Sequence, residues 1–122
     1  MVASNFTIYV IDDDYLVRDA LTTLLRSAGF TPQAFESAQD FLHSDYKTQE
    51  AIVILDVRMP GMGGLHLQSH LSELGVKLPI IFMTAHDDSQ VRTTAIAAGA
   101  AAFLQKPFED DTLLDEIHRL EA

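Results

Sequence analysis

The chain has no cysteine. Disulfides and thiolate metal sites are thereby excluded, and a reducing compartment is permitted. Basic residues are scarce: eight Lys and Arg stand against eighteen Asp and Glu, a formal net charge of −10 at pH 7. So negative a surface repels phosphate backbones and anionic lipid, so direct binding of nucleic acid or membrane by this chain is not expected. Divalent cations, by contrast, are attracted. Long apolar runs are also missing. The stretch Ala95 to Leu104 is broken by Gly99 and is too short to span a bilayer. Met1 to Phe6 has neither the basic start nor the apolar run of a signal peptide, which makes the cytoplasm the expected location.

What is present suits one compact domain over residues 1–122. The apolar fraction of 48% argues against disorder. A chain of this length buries roughly two thirds of its unfolded surface, enough for a core without staples. No repeat, linker or low-complexity segment interrupts it.

Short apolar runs alternate with helical patterns about five times. Phe6 to Ile11 is β-branched and aromatic, the signature of a buried strand. Val17, Ala20, Leu21, Leu24, Leu25 and Ala28 then recur at helical spacing, and Gly29 reads as the stop. A shorter strand is expected near Gln33 to Phe35, followed by a short helix with Ser37 as N-cap. Ala51 to Leu55 is a continuous apolar run, as in a strand covered on both faces. Beyond a loop rich in Pro and Gly, Leu67, Leu71 and Leu74 mark a third helix that Gly75 ends. Leu78 to Met83 reads as a strand with Pro79 at its start, and Ser89 to Ala98 as a helix. Ala101 to Leu104 is the last strand, and Leu113, Leu114, Ile117 and Leu120 line the last helix. Strands alternating with helices imply a parallel sheet covered by helices on both faces.

Ligand sites in such sheets lie beyond the carboxyl ends of the strands. The residues that follow the strands are Asp12, Asp13 and Asp14 after the first, Asp56 after the third, Thr84 after the fourth and Lys106 after the fifth. Singly, each is ordinary: an acid after a strand is usually a turn residue or a helix cap, and Asp14 reads as the cap of the first helix. Their coincidence at one edge is not ordinary. Two carboxylates about 5 Å apart repel by roughly 3 kcal/mol at an effective dielectric near 20, so the cluster calls for a cation. Carboxylate oxygens without Cys or His suit Mg²⁺. A hard cation beside a carboxylate and a lysine is equipment for phosphoryl transfer.

Val10-Ile11-Asp12-Asp13-Asp14, Leu55 to Gly61, Thr84-Ala85 and Lys106-Pro107-Phe108 together resemble the motif set of response-regulator receivers of two-component signalling, in order and in spacing. The resemblance covers nearly the whole chain. It implies a flavodoxin-like, doubly wound five-stranded parallel sheet of order 2-1-3-4-5 with helices on both faces. It also implies Asp56 as phosphoacceptor, Mg²⁺ held by Asp12, Asp13, Asp56 and the backbone carbonyl of Arg58, and Thr84 and Lys106 bonded to the phosphoryl group. Phe103 falls at the switch-aromatic position but lacks the hydroxyl of the common tyrosine. Arg58 and His86 fall where phosphoryl lifetime is tuned, and the Lys106–Pro107 peptide is expected to be cis.

The implied partner is a sensor histidine kinase. The loop after Asp56 and the Lys106-Pro107-Phe108-Glu109-Asp110 segment are most similar to receivers joined to a C-terminal helix-turn-helix, which implies control of transcription and a homodimer formed on phosphorylation. A single-domain relay and a partner-binding pseudo-receiver are the alternatives. A haloacid-dehalogenase-type phosphatase would need an acid where Arg58 stands, and a dinucleotide fold would need glycines in place of the three aspartates. His66 and His70 lie four apart on a helix without a third ligand in view, as on a solvated face.

Overall fold

A computed structural model describes residues 5–85 and 88–121. Its elements are β1 (Thr7–Ile11), α1 (Tyr15–Ser27), β2 (Thr31–Phe35), α2 (Ala38–Leu42), β3 (Ala51–Asp56), α3 (Gly64–Glu73), β4 (Ile80–Thr84), α4 (Ser89–Ala97), β5 (Ala102–Gln105) and α5 (Asp110–Glu121). The strands form one sheet of order β2-β1-β3-β4-β5, and every neighbouring pair is parallel. The expected flavodoxin-like order is therefore present.

Period-2 alternation divides the apolar residues between two cores. Tyr9, Ile11, Val53, Leu55 and Phe82 face one side, with Phe41 of α2, Leu67 and Leu71 of α3 and Ala95 of α4. Ile8, Val10, Ile52, Ile54, Ile81 and Met83 face the other, with Leu21 and Leu25 of α1 and Leu113 and Ile117 of α5. Strand β3 is buried along its whole length, as its unbroken apolar run requires.

Helix ends follow local chemistry. Asp14 caps α1 by accepting from Leu16 N, and Ser37 caps α2 by accepting from Asp40 N. Gly29 has a φ of +90° directly after the C-cap of α1, a conformation that a side chain resists.

Boundaries shift where apolar pattern is silent. Strand β2 begins at Thr31, ahead of the expected Gln33, because it is an edge strand with exposed Thr31, Gln33 and Ala34 and carries no apolar run. Pro32 is tolerated there for the same reason. Strand β4 starts at Ile80 and includes Thr84, and β5 runs from Ala102 to Gln105. Both therefore carry the chain slightly nearer to the polar edge than the apolar residues alone suggest.

Candidate functional site

The carboxyl ends of β1, β3, β4 and β5 converge, and backbone bonds extend the strand pairing into the site. Asp12 N donates to Phe35 O at 3.2 Å, Val57 N to Met83 O at 3.0 Å, and Lys106 N to Thr84 O at 2.7 Å. These bonds fix where the flanking side chains emerge. Asp12 is fully buried, Asp56 is 7% exposed and Thr84 is 3% exposed, whereas Asp13 faces solvent.

Asp12, Asp13 and Asp56 each offer a carboxylate oxygen, and these oxygens lie within 4.8 Å of one another. Lys106 Nζ is 2.9 Å from Asp12 Oδ2 and 3.5 Å from Asp56 Oδ1. Asp12 is tied further: its Oδ1 accepts from Asp14 N at 2.8 Å, and its backbone carbonyl accepts from Arg18 Nη1 at 2.7 Å. Two orienting bonds and a lysine thus hold the buried Asp12, while Asp13 extends toward solvent.

Burial is the main cause that pushes the Asp56 carboxyl up to about 6. The charge of Asp12 adds to this, Lys106 opposes it, and Asp13 contributes a further rise. Burial also presses the Lys106 ammonium toward neutrality, but its bond to Asp12 and the charges of Asp56 and Asp12 outweigh that and raise it above its ordinary value. One ammonium against three carboxylates leaves the cluster short of positive charge. An oxygen-only donor set at this spacing, open on the Asp13 side, fits a small hard divalent cation such as Mg²⁺.

Close approach of backbone shapes the floor. A Cβ on Gly64, the first residue of α3, would lie 2.5 Å from Asp56 O and 3.1 Å from the Phe82 ring. Only glycine lets α3 start against the end of β3.

Arg58 is two residues beyond Asp56, and its exposed guanidinium turns to Asp88, with Nη2 3.5 Å from Oδ2. Phe103 belongs to β5 and is buried, its ring 6.1 Å from that of Phe82 and 5.1 Å from the Arg92 guanidinium carbon. The Lys106–Pro107 peptide is cis. His86 lies outside the described residues. Sequence reading missed Arg18 and the role of Gly64. Arg18 is one polar residue on an amphipathic helix and carries no mark of its bond to Asp12.

The chain belongs to the response regulator receiver domain family, whose model matches residues 8–118. It is 48% identical over 112 residues to the transcriptional regulatory protein TdiR of Thauera aromatica, covering 92% of this chain and 49% of TdiR. Among solved structures, the response regulator StyR is 45% identical with a TM-score of 0.85, over 93% of this chain and 57% of that one. The FixJ-N crystal structure is 34% identical with a TM-score of 0.86, over 95% of this chain and 93% of that one. This chain spans about half the length of the curated relatives it matches.

Proposed function

We propose that this receiver accepts a phosphoryl group on Asp56 from a phosphohistidine of a sensor kinase, with Mg²⁺ bound by the three aspartates. The observation that carries this reading is the juxtaposition of Asp56 with two further carboxylates within 4.8 Å and with Lys106 at 3.5 Å. A carboxylate oxygen of Asp56 attacks phosphorus as the P–N bond breaks; the electron pair stays on the imidazole nitrogen, which takes up a proton. Asp12, Asp13 and Asp56, with the carbonyl of Arg58, would hold Mg²⁺, which when bound neutralises charge on the transferring oxygens. Lys106 pairs with a phosphoryl oxygen, and the Thr84 hydroxyl donates to another. The chain is a switch whose only chemistry is its own phosphorylation and dephosphorylation.

The donor has to dock beside Lys106. Tyr15 and Leu16 are 67% and 74% exposed on α1, and Leu16, Pro107 and Phe108 border an apolar hollow of about 340 Å³ that Lys106 also lines. That continuity with the site supports the hollow as the seat of the kinase helix bearing the phosphohistidine. The names of two relatives, both transcriptional regulatory proteins, support an output in transcription; we propose that it runs through a helix-turn-helix domain and a homodimer formed on activation, in the cytoplasm. The test is transfer from a histidine kinase or acetyl phosphate with Mg²⁺: wild type gains one phosphoryl group, and Asp56→Asn gains none.

A further inference from the structure

Helix α4 is thinly anchored. Ala95 is its one buried residue, and the half-buried Val91 adds a contact with the core. The N-terminal half is otherwise held by the exposed Arg58–Asp88 pair and by Arg92 over the Phe103 ring. A surface pair of this kind is weak. Asp88 also caps the helix, accepting from Gln90 N and Val91 N, and it follows closely on Thr84 at the site. The N-terminal end of α4 is therefore the end that follows the site in the chain.

The C-terminal half is held differently. Gln68 of α3, 6% exposed, donates Nε2 to Ala95 O at 3.0 Å. The same carbonyl accepts from Ala100 N at 3.0 Å, in the turn that closes the helix. Leu67 and Leu71 lie beside Gln68 on α3, and the buried Ala95 lies opposite. A buried amide costs stability unless it is bonded, so glutamine there resists any displacement of α4 that breaks its bond. Packing does not supply that resistance instead. A cavity of about 440 Å³ opens beside Gln68, walled by Leu71, Ser72, Gly75, Pro79 and Gly99. Where side chains leave a gap, the hydrogen bond sets the position.

We propose that Gln68 is a positioning residue that pins the C-terminal end of α4 to α3, so that α4 tilts about Ala95 when Asp56 is phosphorylated. The tilt rests on the reading of Asp56 as phosphoacceptor; the pin does not.

Amide hydrogen exchange tests both. In wild type, beryllofluoride with Mg²⁺ alters exchange at residues 90–93 and leaves Ala98, Gly99 and Ala100 protected. Gln68→Met keeps the volume and loses the donor. Without ligand, it exchanges about fivefold faster at those three amides, the factor that one net hydrogen bond is worth, with the sheet unchanged. With beryllofluoride, the change in this variant spreads over all of α4, a redistribution that a merely structural role would not produce. Wild-type exchange at 98–100 in Gln68→Met overturns the pin. So does a wild type in which beryllofluoride loosens 98–100 as much as 90–93, a comparison that needs no variant to fold. Failure of wild type to bind beryllofluoride would contradict the reading of Asp56, while the ligand-free comparison still decides the pin.

Discussion

Lys106 Nζ lies 2.9 Å from Asp12 Oδ2, closer than its 3.5 Å approach to Asp56 Oδ1. The lysine is therefore held chiefly by a fully buried carboxylate other than Asp56, the proposed phosphoacceptor. Its bond to Asp12 keeps the ammonium charged and in place beside Asp56.

Removing that ammonium leaves Asp12 buried without its counter-charge. Lys106→Met is expected to lose about 2 kcal/mol of stability in metal-free buffer, since a buried charge deprived of its partner is costly. Millimolar Mg²⁺ should restore part of the loss by supplying another cation. Urea unfolding with and without Mg²⁺ measures both, and a variant as stable as wild type without metal contradicts the role assigned to the pair.

The raised Asp56 carboxyl makes stability depend on pH in a defined direction. Because Asp56 holds its proton up to about 6 in the fold, against 3.8 ordinarily, the folded state binds more protons between those values. Its contribution to stability is present at low pH and is lost as pH rises from about 4 to about 6. Asp56→Asn is expected to be more stable than wild type at pH 7 without metal, by about 2 kcal/mol, and to lose that advantage near pH 4. Chemical denaturation across this range reads the difference; an advantage that persists unchanged at pH 4 contradicts the assignment.

Asp13 separates binding from folding. It is exposed and adds to the negative charge around Asp56. Asp13→Asn should unfold no more easily than wild type without metal, yet lose most of its Mg²⁺ affinity. The rise in melting temperature that Mg²⁺ gives wild type by mass action should shrink accordingly. Equal Mg²⁺ binding by the two proteins in calorimetry removes Asp13 from the ligand set.

Much of this site was legible because β3 is. Its apolar run from Ala51 to Leu55 ends at Asp56, and the same rule applied to β1, β4 and β5 finds Asp12, Asp13, Thr84 and Lys106. Only the end of β2, from Gln33, is legible in the sequence because its outward side chains are polar or small, and an edge strand needs no apolar run. Arg18 and Gln68 left no trace at all. Each acts through a bond to a backbone carbonyl, of Asp12 and Ala95 respectively, and backbone acceptors have no letter in the sequence.

The hollow beside Lys106 can be tested apart from the chemistry. Leu16 is 74% exposed, so Leu16→Glu should fold normally. Phosphoryl transfer from the cognate kinase is expected to slow at least about tenfold, as for the loss of an apolar anchor, whereas labelling by acetyl phosphate stays at the wild-type rate. Equal slowing with both donors would place the defect in the site rather than at a docking surface.

Phosphorylation of Asp56 is read by intact-protein mass spectrometry after incubation with acetyl phosphate and Mg²⁺. Wild type should gain the mass of one phosphoryl group, lose it in mild base as an acyl phosphate does, and gain nothing when Mg²⁺ is chelated; Asp56→Asn should show no gain. Labelling of Asp56→Asn to the wild-type extent, mapped to another residue, would place the phosphoacceptor elsewhere.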